Sequence, residues 1–373
     1  MTIAFLAPLK SPEHPEPSGD REMARLLIRA LETAGHPVEI ASRLRMLDRT
    51  GAETPGLAAR ARAEADAYVA AAQKRPPADR PRAVFSYHVF YKAPDVAGPR
   101  IAAALGVPYV VAEGSRAPKR AGGPWDAGHR LAEAALDAAS AVLILNERDR
   151  PMLERSRPAG QRLVALPPFV DASAWPALAR RPVSSHGEPL RLLCVAMMRP
   201  GDKFASYRLL AEALAQVPGE GWRLDVVGDG TARAEVERLF APFGERVRFA
   251  GRIEDRGELA RHYAGADLLV WPAVNEAFGM VFLEAALQGC PALAGAFGGV
   301  PGVVRHGETG LLTAPGSVQA FAAALAALLA DRAALRPLAA GALAFARTDR
   351  SVAAAAGILD EVLATLAAGR SAA

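Results

Sequence analysis

Short apolar runs recur along the chain, each followed by a longer stretch whose apolar positions fall three or four residues apart. This alternation predicts strands separated by helices and a parallel α/β architecture. In the first half the strand candidates are residues 3–7, 38–41, 83–86, 109–112 and 141–145, with helical patterns such as 21–34 and 125–139 between them. In the second half they are 190–195, 223–227, 247–249, 268–271 and 292–294. Residues 50–82 are Ala- and Arg-rich and helical, with Pro76-Pro77 marking a loop near their end. Residues 171–188 carry Pro176, Pro182, Ser184, Ser185 and Gly187 and read as a hinge between two halves. The expected organisation is a first domain over 1–175, a linker over 176–188 and a second domain over 189–350. A terminal helix over 351–373, with an apolar stripe, follows. Two doubly wound, Rossmann-like domains joined in this way are expected to face a cleft, where ligands usually bind.

The segment Glu276-Ala-Phe-Gly-Met-Val-Phe-Leu-Glu284 places two carboxylates eight positions apart around a Phe-Gly-Met turn. An apolar run precedes it and a helical pattern ending at Gly289 follows, so it reads as strand, loop and helix. The backbone N–H groups of residues 279–281 then lie at a helix start, where the dipole favours an anion such as phosphate. Carboxylates accept hydrogen bonds from sugar or ribose hydroxyls. Two of them flanking a phosphate-binding helix start suit a sugar nucleotide, although glutamates at this spacing are also ordinary solvated residues.

The stretch from Val247 to Pro315 resembles the donor-binding half of family 4 glycosyltransferases, which have the GT-B fold. Its pieces are Val247-Arg-Phe-Ala-Gly-Arg252, Ala266-Asp-Leu-Leu-Val, Asn275-Glu-Ala-Phe-Gly-Met-Val-Phe-Leu-Glu-Ala285, Gly289-Cys-Pro-Ala-Leu, Gly298-Gly-Val-Pro301 and Gly307-Glu-Thr-Gly-Leu-Leu-Thr-Ala-Pro315. The resemblance implies that Glu276 contacts the donor sugar and Glu284 the ribose, with Phe278, Gly279, Met280 and Val281 around the diphosphate. It also implies that the backbone at Arg252 and Ile253 holds the nucleobase and that the transfer retains the anomeric configuration. In the family this terminal helix often crosses back to the first domain.

Breaking a glycosyl–diphosphate bond calls for positive charge on the leaving phosphates. Arg199 and Lys203, in the loop Ala196-Met-Met-Arg-Pro-Gly-Asp-Lys203, supply it, or are simply solvated loop cations. The family's loop usually opens Gly-Arg-Leu and spaces its Arg and Lys five apart, whereas here they are four apart. Gly228-Asp-Gly230 reads as a tight turn needing φ > 0 rather than as a phosphate loop. Gly298 and Gly299 would let backbone approach the donor sugar, or form an ordinary loop after a strand.

In the first half, Pro17-Ser-Gly-Asp20 resembles the family's first glycine-rich loop, with Gly19 toward the phosphates; Ser18 or Asp20 as a plain N-cap is the alternative. Glu113 stands where many relatives have a histidine near the donor sugar, and His88 is an acceptor-side or structural residue. No Asp-x-Asp occurs, so the metal-chelating signature of the other large glycosyltransferase fold is missing, and no metal or other cofactor is expected.

At 373 residues with 51% hydrophobic and 23% charged residues, the chain reads as globular with two cores. Cys194 and Cys290 stand alone in apolar contexts and read as buried free thiols. The longest clear apolar run, residues 320–330, is shorter than the ~18 residues that suggest a membrane helix. Residues 1–8 are too short and uncharged for a signal peptide, so a cytoplasmic chain is expected.

The net charge of +4 is uneven: residues 1–185 carry 26 Lys and Arg against 20 Asp and Glu, the remainder 18 against 20. Arginines recur through 43–82, as a solvated face or as a surface for anionic membrane or acidic acceptor. No nucleic-acid-binding motif accompanies them. The sequence therefore points to a metal-independent, retaining glycosyltransferase. It would use a nucleotide-diphosphate sugar and a glycan, lipid-linked or small-molecule acceptor, in polysaccharide or glycolipid biosynthesis. A sugar-nucleotide epimerase or phosphorylase on the same fold, or a catalytically silent sugar-nucleotide-binding scaffold, are the rival readings.

Overall fold

A computed structural model describes residues 1–16, 18–185 and 187–371; Pro17, from the loop before the first helix, lies outside the described residues. The chain divides into two compact units, Met1–Pro167 with Val352–Ala373, and Pro168–Ser351.

Unit 1 is built on β1 (Ile3–Leu6), β2 (Val38–Ile40), β3 (Ala83–Val89), β4 (Tyr109–Gly114), β5 (Ala141–Ile144) and β6 (Arg162–Ala165). They pair in parallel in the order β2-β1-β3-β4-β5-β6. The direction of winding reverses between β1 and β3, and in open α/β sheets ligands bind outside the carboxyl ends of strands at such a point. The four inner strands, β1, β3, β4 and β5, are buried on both faces, which is why they read as apolar runs rather than alternating ones.

Unit 2 repeats the plan with β7 (Leu190–Val195), β8 (Trp222–Val227), β9 (Val247–Gly251), β10 (Leu268–Trp271), β11 (Ala292–Gly295) and β12 (Gly310–Thr313). Their order is β12-β11-β10-β7-β8-β9, all parallel, with the reversal between β7 and β10. The edge strands β6 and β12 were not among the expected strands. Each is four residues long and only partly buried, so its apolar signal is short.

The Pro- and Ser-rich segment expected to be a hinge is strapped onto unit 2. The Ser184 hydroxyl donates to Asp267 Oδ2 at 2.7 Å, the Gln288 amide donates to the Pro176 carbonyl, and the Arg332 guanidinium binds the Ser185 and Glu188 carbonyls at 2.6 Å. Asp267 is fully buried just before β10 and also accepts from the Arg191 N–H and guanidinium. Burial works against its charge, but the Arg191 contacts outweigh that and hold its carboxyl below the usual range.

The helix Val352–Ser371 belongs to unit 1, where it packs on the helix Gly19–Thr33, and His36 Nε2 meets Asp360 Oδ1 at 3.0 Å. Its stretch Val352–Gly369 has a mean hydropathy of 1.6 and the length and composition of a membrane span, longer than the apolar run singled out in the sequence. A third of it is buried. Two arginines of the Arg-rich stretch are neutralised within unit 1, Arg43 by Glu13 and Arg75 by Glu39, while Arg45 keeps its charge and donates to the Leu9 carbonyl.

Replacing Asp267 with Ala leaves the Arg191 charge and the Ser184 strap without their partner at the root of β10. Chemical denaturation should show a loss of about 3–5 kcal/mol, the scale for breaking a buried pair from one side. A loss below 1 kcal/mol would mean that the strap does not hold β10.

Candidate functional site

In unit 2, the loops after β7 and β10 flank the reversal in strand order and bring the sequence candidates together. Lys203 is the second residue of the helix Asp202–Gln216, and Glu276 sits in the loop after β10. Lys203 Nζ donates to Glu276 Oε2 in a close ion pair, with 26% and 15% of the two side chains exposed. The Trp271 indole N–H reaches the same carboxylate oxygen at 3.3 Å, and the ammonium lies 5.6 Å from the centre of the indole ring. One carboxylate is thus held by an ammonium and an indole that share a face.

The loop itself is forced into shape. Ala273 and Asn275 adopt left-handed backbone (φ 57° and 51°), a conformation costing about 1–3 kcal/mol each for non-glycine residues. Contacts to the Asp202–Gln216 helix hold it there: the Val274 N–H donates to Ser206 Oγ at 2.9 Å and the Asn275 amide to Asp202 Oδ2 at 3.1 Å. From the other side Gly299 closes on the turn, and a Cβ there would fall 2.0 Å from the Ala277 carbonyl oxygen. This contact explains Gly299 by backbone packing.

Gly279 follows at φ 73° and caps the helix Met280–Leu287. A side chain at Gly279 would strike the Phe282 ring at 2.7 Å. The first N–H groups of a helix have no partner within it, so Met280 and Val281 present donors at this end, while the Phe282 N–H turns back to the Gly279 carbonyl at 3.0 Å. Phe278 and Gly279 are buried while Met280 and Val281 are half-buried. Glu284, one turn further on, accepts from the Tyr263 hydroxyl at 3.0 Å.

Arg199 and Arg252 stand differently. The Arg199 side chain is exposed, while its carbonyl accepts from the Phe204 N–H at 3.0 Å, closing the loop onto the helix that carries Lys203. Arg252 is exposed and paired with Glu254 at 2.9 Å, leaving its backbone beside the half-buried Ile253. Gly228 and Gly230 are at φ 146° and 154°, and a Cβ would lie 1.9 Å from the Ala196 oxygen or 2.2 Å from the Met198 oxygen. They therefore form the close-packed turn under the 196–203 loop.

In unit 1, Ser18 is the N-cap, accepting from the Arg21 N–H at 3.2 Å. Gly19 is the first helical residue and has open space where a Cβ would be. Asp20 Oδ1 lies 3.0 Å from His88 Nδ1, and Glu113 Oε2 lies 3.9 Å away, beyond hydrogen-bond reach. His88 and Glu113 both have left-handed backbone, φ 62° and 59°. Burial disfavours the charged imidazole, but the neighbouring Glu113 and Asp20 outweigh it and bring His88 to about 8. Glu113 is pushed up by burial, and one of its carboxylate oxygens has no partner among the described residues. Asp149, which accepts from Ser115 Oγ at 2.7 Å, is also pushed up by burial.

Several contributors escaped the sequence reading. Trp271, the donor to Glu276, ends a run that reads only as a strand, and Tyr263, the donor to Glu284, lies in a helix to which the sequence reading assigns no role. Asp202 and Ser206, which pin the loop, are unremarkable polar residues of a helix. Asp20 was legible only as a cap, not as the partner of His88.

Residues 189–331 match the family described as Glycosyl transferases group 1. Sulfoquinovosyl transferase SQD2 of Arabidopsis thaliana is 34% identical over 151 residues, covering 40% of this chain and 28% of that protein. The chain thus spans well under half the length of that curated relative. Sucrose-phosphate synthase from Thermosynechococcus elongatus superposes with a TM-score of 0.73 at 22% identity, covering 99% of both chains. Anabaena Alr3699/HepE in complex with UDP-glucose gives 0.67 at 21% identity, covering 98% of this chain and 100% of that one. At these identities the structural likeness establishes the fold, which is GT-B: two α/β units, each with a six-stranded parallel sheet.

The His88 environment predicts that its imidazole titrates by NMR near pH 8, and that Asp20→Asn lowers the midpoint. Because the folded value is raised above the ordinary 6.5, the stability it contributes is complete below about pH 6.5 and is lost as pH rises through about 8. A midpoint at or below 6.5 would contradict the described pairing.

Proposed function

We propose that this chain is a retaining glycosyltransferase of the family 4 kind, moving a sugar from a nucleoside-diphosphate sugar to an acceptor hydroxyl without a divalent metal. The observation that carries the proposal is the Lys203–Glu276–Trp271 assembly at the strand reversal of unit 2, followed in the chain by the helix that carries Glu284. The match of residues 189–331 to Glycosyl transferases group 1 supports it. A uridine donor is supported by the Anabaena protein of the same fold, whose structure is a complex with UDP-glucose.

In this reading the diphosphate takes the Lys203 ammonium away from Glu276 and adds the N–H donors of residues 279–281, with Arg199 as a further cation. The freed Glu276 carboxylate accepts from the sugar hydroxyls, and Glu284 accepts from the ribose. The base rests against the backbone at Arg252 and Ile253. The bond from the anomeric carbon to the phosphate oxygen then breaks, its electron pair leaving on the diphosphate. The acceptor oxygen bonds to the same face and gives up its proton to the departing phosphate oxygen. Charge developing on the leaving oxygens is met by preorganised donors, the largest kind of catalytic term in such sites. Unit 1 takes the acceptor, a glycan, lipid-linked or small molecule, with His88 and Glu113 toward it. We place the chain in the cytoplasm, with peripheral contact to anionic membrane through exposed arginines such as Arg49, Arg60 and Arg62.

A thermal-shift panel of UDP, GDP and ADP sugars should show the largest rise with a UDP sugar, since a ligand of the folded state stabilises it. Glu276→Gln should depress turnover while sparing UDP affinity. Glu284→Ala should weaken UDP and intact donor alike by about 1–3 kcal/mol. Lys203→Ala should slow transfer by about 10²-fold or more. Activity should survive excess EDTA. Activity lost in EDTA and restored by magnesium or manganese would sink the metal-independent mechanism. Nucleotide diphosphate released at the same rate with and without any acceptor would contradict transfer itself.

A further inference from the structure

Ring contacts in unit 1 run outward from His88. Ring centres are 4.9 Å apart from His88 to Phe90, 5.6 Å from Phe90 to Tyr91 and 5.9 Å from Tyr91 to Trp125. The outer end carries two cations on the same two rings. The Arg120 guanidinium lies 4.8 Å from the Tyr91 ring centre and 5.3 Å from that of Trp125; the Lys92 ammonium lies 5.7 and 5.2 Å away. Neither cation has a carboxylate partner among the described residues. Arg120 Nε and Trp125 Nε1 are buried N–H donors that lack an acceptor there.

This end is rigidly built. Phe90 and Ala93 bond to each other's backbone, leaving Tyr91 and Lys92 at the tip of a tight turn. The Lys92 carbonyl accepts from the Asp48 N–H at 2.8 Å. Asp48 is fully buried, and its carboxylate accepts from the N–H groups of Thr50, Gly51, Glu53 and Thr54 at 2.7–2.9 Å. Gly128 lets the Tyr91 carbonyl approach where a Cβ would stand 2.2 Å from it, and Gly51 (φ 89°) does the same for the Pro124 carbonyl beside Trp125.

Cation–π contact alone would explain one solvated cation. It does not explain two like charges set on the same pair of rings, where they repel, nor two buried donors without an acceptor. An oxyanion answers both: it offsets the repulsion and accepts from the unpaired N–H groups. We propose that Lys92, Arg120 and the Trp125 indole N–H form a receptor for a phosphate group on the acceptor, whose body lies along Phe90 and Tyr91 toward His88 and Glu113. This rests on the reading that unit 1 takes the acceptor, and it names the chemistry of that acceptor as phosphorylated.

The test titrates inorganic phosphate and glycerol 3-phosphate calorimetrically into the full chain saturated with UDP, so that the diphosphate site of unit 2 is filled. Phosphatidylglycerol vesicles offered in parallel separate a lipid-linked phosphate from a soluble one. Binding of either source, weakened about tenfold or more by Lys92→Gln and by Arg120→Gln, is the expected result. Trp125→Phe keeps the ring, removes the N–H and should weaken binding as well, which covers the case of a cation variant that fails to fold. Replacing Arg49 and Arg60 with Gln should leave the binding of inorganic phosphate and glycerol 3-phosphate unchanged. No phosphate binding in the UDP-saturated protein, or binding indifferent to Lys92 and Arg120, overturns the proposal. Failure of UDP to bind at all would instead tell against the donor site in unit 2.

Discussion

The ion pair between Lys203 and Glu276 is the constraint around which the unit 2 site is arranged. Both side chains are mostly sheltered, so removing either partner would leave a charge with little water to receive it. A ligand can separate them only if it brings an anion for the ammonium and hydrogen-bond donors for the carboxylate. A sugar diphosphate does both in one molecule. In the proposed function the pair acts as a filter on ligand chemistry as well as a pre-set charge arrangement. The left-handed backbone at Ala273 and Asn275, held by Ser206 and Asp202, shows how firmly the fold positions this carboxylate.

The two units use the same device at the same topological place. In unit 1 the carboxyl ends of β3 and β4 and the start of the helix after β1 meet where the strand order reverses, bringing Asp20 to His88 and Glu113, the latter two on left-handed backbone. In unit 2 the loops after β7 and β10 do so. The chemistry differs: unit 2 holds its charges as a close pair, whereas in unit 1 a buried carboxylate oxygen of Glu113 lies 3.9 Å from His88 and has no hydrogen-bond partner among the described residues. In the proposed function that contrast suits a site for a diphosphate in one unit and a site for a hydrogen-bond-donating acceptor in the other.

Much of the fold was legible because the central strands of both sheets are buried on both faces and read as unbroken apolar runs. The edge strands β6 and β12 were missed because a short, half-exposed edge supplies too little apolar signal. The segment 171–188 reads as a hinge by its prolines and serines, yet it is strapped down by Asp267 and Arg332, residues 80 to 150 positions away in sequence in rough terms, and no local pattern reveals such partners. Glu276 and Lys203 were legible as chemistry by their motifs. Their direct pairing was not, because it depends on which loops the parallel sheet brings side by side. The roles of Trp271, Tyr263 and Asp20 were hidden for the same reason.

The central claim is that a sugar nucleotide binds by separating Lys203 from Glu276. A crystal structure of the chain with a UDP sugar tests this most directly. The account predicts the Lys203 ammonium on a phosphate oxygen, the Glu276 carboxylate on sugar hydroxyls and the indole of Trp271 still beneath them. A nucleotide bound elsewhere, or one bound with the Lys203–Glu276 pair intact, would contradict it.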